Sequence, residues 1–147
     1  MKDLHPELQK ILPRIHSMKE IGINKGLAKF GDSITNTSYS LAKSLVIGRL
    51  DARKVNRTIL SHALKEAGMK PFAKVRSDAH ALADTTEAFI GYIYCSEGWS
   101  IEQISLILME KLSLYDLNDF KTESQGATQA FLHLLLKIKD HLLPKFA

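Results

Sequence analysis

Apolar residues recur at three- and four-residue intervals along nearly the whole chain, and no stretch alternates convincingly between apolar and polar residues as a strand would. That spacing lays an apolar stripe along one face of a helix. It predicts an all-α domain in which helix packs on helix. The breaks fall where helix ends are expected. Leu4 to Ile21 reads as a helical region interrupted near Pro13, because proline cannot donate to the preceding turn. Asn24 is expected to cap a long helix to about Ile47, ended by Gly48. Asp51 is expected to cap a basic helix from Ala52 to Ala67, closed by Gly68. Met69 to Arg76, with Pro71 inside it, reads as a loop. Ser77 or Asp78 caps the next helix, which carries Ala81, Leu82, Ala88, Phe89, Ile93 and Tyr94 and stops at Gly98. Ser100 and Gln103 form a capping box opening a helix to about Leu114. A polar linker from Asp116 to Ser124 precedes a leucine-rich helix from Gln125 to Leu143, ended by Pro144. With 147 residues and neither a repeat nor a domain boundary, one domain is expected, covering residues 1–147.

Several function classes drop out. No apolar run approaches the roughly 18 residues of a membrane helix. The polar start, with Pro6, is no secretory signal, so the chain reads as cytoplasmic. Cys95 is the single cysteine, which excludes an internal disulfide and a cysteine-based zinc cluster; at the end of an apolar stretch it reads as a buried spectator, with a reactive thiol the alternative. Gly22, Gly26 and Gly31 are too loosely spaced for a dinucleotide fingerprint. The segment Trp99 to Ile104 could open a helix-turn-helix, but the helix it starts is too apolar to read bases.

Charge is distributed unevenly. The net charge is +4, yet Arg49, Arg53, Lys54, Arg57, Lys65, Lys70, Lys74 and Arg76 lie together, opposed only by Asp51 and Glu66. The remainder of the chain is slightly acidic. A basic segment of this kind suits a polyanion, although a solvated helix face has the same composition.

Three carboxylates stand out. Asp84 and Glu87 are three residues apart on one predicted helix and share a face. Their neighbours Leu82, Ala83, Ala88, Phe89 and Ile90 are apolar. Two carboxylates in such surroundings repel one another and resist desolvation. A hard cation such as Mg²⁺ relieves both. The alternative is a pair of surface acids at the polar edge of a helix. Asp32 follows Gly31 inside the long helix. A glycine there costs about 1 kcal/mol relative to alanine and points to the close approach of another backbone or a ligand.

These two stretches resemble the signatures of the ribonuclease III family. Leu27, Phe30, Gly31, Asp32 and Ser33 match the first; Ala83-Asp84-Thr85-Thr86-Glu87-Ala88-Phe89-Ile90-Gly91 matches the second almost position for position, and Tyr92-Ile93-Tyr94 continues it. The resemblance covers Asn24 to Gly98. It implies the all-helical endonuclease fold, a homodimer, and Mg²⁺-dependent hydrolysis (Mn²⁺ a possible substitute) of phosphodiester bonds in double-stranded RNA. Asp32, Asp84 and Glu87 would be the catalytic metal ligands. Arg53, Lys54, Arg57, Lys70, Lys74 and Arg76 would grip the RNA backbone, with Arg53, Lys54 and Arg57 sharing a helical side. No length is left for a separate double-stranded-RNA-binding domain, as in the Mini-III type or an archaeal relative.

The chain also departs from the family. Ala28 and Lys25 stand where acids are usual, and Ala52, beside Asp51, falls at a third such position. They bear on how many metals bind, and leave open a degenerate relative that binds RNA or scaffolds a ribonucleoprotein without cutting. His80 lies four residues before Asp84 and joins its face. It reads as a helix-edge histidine, able to touch a phosphate. Tyr39, Phe89, Tyr92 and Tyr94 read as core or dimer-interface aromatics. The terminal helix, with Phe131, Leu132, Leu134, Leu135, Leu136 and Ile138, presents more apolar surface than one core-facing stripe and is the expected dimer support.

Overall fold

A computed structural model describes residues 4–146. Its elements are α1 (Leu4–Ile11), α2 (Met18–Gly22), α3 (Lys25–Ile47), α4 (Arg57–Glu66), α5 (Ala79–Cys95), α6 (Ile101–Leu112) and α7 (Phe120–Leu142), with 3-10 turns at Lys70–Phe72 and Leu143–Lys145. Among the described residues there is no strand, so the fold is all-α as the periodicity predicts. Most helix ends follow the chemistry of their caps. The Asn24 side-chain carbonyl accepts from the Leu27 N–H at 2.9 Å, and Gly48 closes α3 in the left-handed conformation, φ 75°. Asp78, not Ser77, caps α5 by accepting from the Ala81 N–H. Ser100 caps α6 by accepting from the Gln103 N–H. The first helical region is two helices, α1 ending before Pro13 and α2 starting at its own cap, Ser17.

Two stretches differ from expectation. Asp51 does not open a helix; α4 begins at Arg57 and its cap is Asn56. Residues 51–55 instead lie along α3, held by side chains spaced four apart on that helix. The Ser44 hydroxyl accepts from the Asp51 N–H and donates to its carbonyl, both at 2.9 Å. Ser40 accepts from the Arg53 N–H at 3.0 Å and donates to its carbonyl. The Asn36 side-chain carbonyl accepts from the Val55 N–H at 2.8 Å. The registers match: four helical residues rise about 6 Å, and two extended residues span about 6.6 Å. Backbone groups that a helix would have paired internally are satisfied by α3, so helix propensity loses here.

The last helix starts at Phe120, capped by Asp119, earlier than the polar composition of 116–124 suggests. The reason is a buried charge. Glu123, on the first turn of α7, is 4% exposed. It accepts from the Tyr39 hydroxyl at 2.7 Å and pairs with Arg53 at 2.8 Å and Lys43 at 3.3 Å. Paired in this way a buried carboxylate is tolerated; unpaired it would not be.

α5 is the central helix. It packs against α2, α3, α4 and α7, and from Leu82 to Ile93 all but Asp84 are buried. Phe131, Leu134, Leu135 and Ile138 of α7 have no solvent exposure within one chain. Each such side chain contributes about 1.5–3 kcal/mol. They are therefore core residues, which removes most of the apolar surface expected of the terminal helix; of the six residues expected to form it, Leu136, at 40%, is the exposed one. Tyr39, Phe89 and Tyr92 are core aromatics, and Tyr94 stands against Phe30 with ring centroids 6.0 Å apart. Cys95 is buried.

The helices α3 and α5 meet backbone to backbone. A Cβ on Gly31 would lie 1.8 Å from the Glu87 carbonyl oxygen and 3.1 Å from the Gly91 nitrogen. A Cβ on Gly91 would lie 2.6 Å from the Leu27 carbonyl oxygen. The intrinsic helix cost of Gly31 is thus the condition for this contact. Replacing Gly31 with alanine is expected to destabilise the fold by at least the roughly 1–3 kcal/mol of an overpacked core, measured by urea denaturation. The matched control is Gly26→Ala, whose methyl meets nothing closer than 3.4 Å and should shift stability by under about 1 kcal/mol.

Candidate active site

The α3–α5 contact sets the site. Asp32 follows Gly31 on α3, and Glu87 lies one turn before Gly91 on α5, so the close crossing brings their carboxyl groups together. Asp84 sits one turn earlier on α5, at the surface. Between the two acids, Thr85 donates its hydroxyl to the Gly22 carbonyl at 2.8 Å and Thr86 donates to the Leu60 carbonyl at 2.9 Å. These bonds fasten α5 to the end of α2 and to α4, on the two sides of the acids. Asp32, Asp84 and Glu87 all line one cavity of about 710 Å³.

The electrostatics of the pair are unequal. Glu87, 9% exposed, has its carboxyl pushed up to about 9, first by burial, then by its hydrogen bond to Asp32 and by the charges of Asp32 and Asp84, against the opposing effect of Lys54. Asp32 is held below the usual carboxylate range by the Glu87 hydrogen bond, with Asn36 and Lys54 adding to it against the cost of burial. The proton is thus favoured on Glu87 and disfavoured on Asp32. The Asn36 side-chain amide donates to Asp32 Oδ1 at 3.1 Å.

The cavity rim is basic. Lys25, Lys29, Lys54, Arg57 and Lys74 line it, with His80 beside Asp84 on α5. Three of the six cations expected to hold a polyanion, Lys54, Arg57 and Lys74, are thus brought to the acids. Lys70 and Arg76 are exposed but do not line this cavity. Arg53 is turned away into its pairing with Glu123 and stacks over the Phe120 ring, 4.8 Å from its centroid. The expectation that Arg53, Lys54 and Arg57 share one helical side fails, because Arg53 and Lys54 precede α4 and are extended. Asn36, Lys29 and Glu123 were not singled out by the sequence. Asn36 was recoverable, standing four residues after Asp32 on the same helical face; Glu123 carried no local signal.

Among the described residues no three acidic or imidazole groups converge into a ready ligand cage. A cage is not what a magnesium site needs, since Mg²⁺ keeps several waters and is held through one or two carboxylates. Two carboxyls brought together in one cavity, with Asp84 a third oxygen donor lining it, fit that donor requirement, because a bound cation would displace the proton that burial favours on Glu87.

An acidic floor under a basic rim, built on helices, is an arrangement suited to an anionic polymer and a hard cation. The family model described as Ribonuclease III matches residues 25–143, spanning α3 to α7 and the whole cavity floor. The chain belongs to the ribonuclease III family. No curated protein sequence matches it. No helix among the described residues is long and apolar enough to cross a membrane.

Because folding raises the Glu87 pKa, the folded protein binds the proton more tightly than the unfolded chain. In chelator this stabilisation is complete below about 4.5 and is lost as pH rises toward about 9. The lowered Asp32 acts oppositely and below 3.8, outside that window. Urea melts should therefore show Glu87→Gln gaining on the parent protein steadily between these limits. A constant difference across the window would place the proton elsewhere.

Proposed function

We propose that this protein is a Mg²⁺-dependent endoribonuclease that hydrolyses phosphodiester bonds in double-stranded RNA during RNA processing. The observation that carries the reading is the Asp32–Glu87 carboxyl pair on the floor of a cavity rimmed by Lys54, Arg57 and Lys74. Asp32 and Glu87, completed by Asp84, would hold the cation. A bound Mg²⁺ would lower the pKa of a coordinated water and offset charge developing on the phosphate. The chain's own contribution is positional. Burial holds Glu87 in place, the Asn36 amide orients Asp32, and the rim cations hold the RNA backbone above them. Duplex RNA suits such a surface, because its deep, narrow major groove hides the bases and leaves shape, phosphates and 2′-hydroxyls to be read.

We read the active species as a homodimer in a single-domain chain, each protomer supplying one site. With the terminal helix largely used by its own core, the support for a second copy moves to α3. There Phe30, Leu41 and Leu45 are 40%, 38% and 56% exposed. The competing reading, an RNA-binding relative that does not cut, draws on Lys25 and Ala28. Both line the cavity where the family usually carries acids.

Cleavage of a long RNA duplex with Mg²⁺ and with chelator separates the two. Duplex should be cut only with the cation, and Glu87→Gln should reduce cutting to the chelator background while duplex binding survives. Retention of parental cutting by that variant would remove Glu87 from the chemistry.

The cations that line the cavity support a narrower RNA-binding set than the sequence does. Replacing Lys54, Arg57 and Lys74 together with glutamine should weaken duplex binding. It should also flatten the slope of log affinity against log salt by about one for each phosphate left without a protein cation. Arg53→Gln should instead act chiefly on stability, because the buried Glu123 loses its shorter ion pair and keeps Lys43 and Tyr39. An unchanged slope in the triple variant would take the cavity rim out of the RNA-binding surface.

A further inference from the structure

The extended segment 51–55 and the helix α3 are joined by a ladder whose last rung reaches the acidic pair. Ser44, Ser40 and Asn36 hold Asp51, Arg53 and Val55 in turn, and the next residue four back on α3 is Asp32. Asn36 differs from the two serines. Its side-chain carbonyl is committed to the Val55 N–H at 2.8 Å, which fixes the orientation of the amide. Its NH₂ group must then face Asp32, and it donates to Oδ1 at 3.1 Å. Val55 is 5% exposed, so its N–H has little access to water as an alternative partner. The residue before it, Lys54, is exposed and lines the cavity beside Asp32 and Glu87.

We infer that Asn36 is a positioning residue of the site, a single amide that holds the Asp32 carboxylate and the Lys54-bearing backbone in fixed register. This rests on the nuclease reading above. A carboxylate ligand keeps its direction only when its second oxygen or its flank is itself hydrogen-bonded. Asn36 supplies that bond from the same helix, one turn away, where rigid backbone sets the distance. The same residue ties the cation of the rim to the acid of the floor. Moving Asn36 therefore disturbs both the metal-binding oxygen and the charge that faces it, without removing any group that touches RNA or metal.

The test uses the full chain and Mn²⁺ as the probe. Manganese binding is followed by electron paramagnetic resonance, and hydrogen exchange of the Val55 amide by NMR. Asn36→Ala is expected to lose Val55 amide protection and to bind Mn²⁺ about 10- to 100-fold more weakly. The Mg²⁺ concentration for half-maximal cleavage should rise in step, with duplex binding weakened by less than in the Lys54, Arg57 and Lys74 triple variant, since Lys54 is displaced and not removed. Asn36→Asp keeps an acceptor for Val55 but has no donor for Asp32, so it should retain the amide protection. Ser40→Ala, one rung away, should lower the melting temperature without changing Mn²⁺ affinity. Wild-type Mn²⁺ affinity in Asn36→Ala, whatever its melting temperature, overturns the inference alone. Failure of the parent protein to bind Mn²⁺ or cut duplex overturns the nuclease reading and this inference with it.

Discussion

The backbone contact between Gly31 and Gly91 is the constraint on which the rest depends. Two helices usually keep 8–10 Å between axes because side chains fill the space. Here the side chains are absent at the crossing, and a Cβ at Gly31 would sit 1.8 Å from a carbonyl oxygen. Nothing but glycine leaves that space. Asp32 and Glu87 are neighbours of this contact on opposite helices, so the approach that costs the helix its propensity also forces two carboxyls together. Burial, the hydrogen bond to Asp32 and the repulsion between the carboxyls then raise the Glu87 pKa. The geometry of the site and its charge state thus follow from one packing decision.

A second set of interactions fixes what stands above the acids. The chain leaving α3 does not form the helix its composition favours, because Ser44, Ser40 and Asn36 satisfy its backbone first. That choice turns Arg53 inward to Glu123 and leaves Lys54 over the carboxyl pair. A helix from Ala52 would have carried Arg53 and Arg57 on one side and produced a uniform basic surface. The extended segment sorts the cations instead, one to a buried ion pair and the others to the cavity rim. The buried Glu123 is part of the same sorting, since it has to be matched by Tyr39, Lys43 and Arg53 together.

The family match over residues 25–143 and the site geometry meet at the two signature stretches around Asp32 and Glu87. They also meet at the departures. Lys25, which is exposed, and Ala28, which is buried, both line the cavity that holds the three acids.

The sequence by itself determined the helices whose caps and stripes are local: α3 between Asn24 and Gly48, α5 from Asp78, and α6 from Ser100. Local spacing put Asp84 and Glu87 on one helical face; that Asp32 belongs with them was implied by the resemblance of the two stretches to the ribonuclease III signatures, not by spacing. The sequence did not determine the course of residues 51–56 or the start of α7. Helix propensity is a difference of a few tenths of a kcal/mol per residue, and it yields wherever another element offers backbone groups better partners. The pairing of Asn36 with Val55 and of Glu123 with Arg53 joins residues 19 and 70 positions apart. Only the folded chain brings such partners within hydrogen-bonding distance, so only the tertiary structure could decide which cations face the site and which residue holds its aspartate in place.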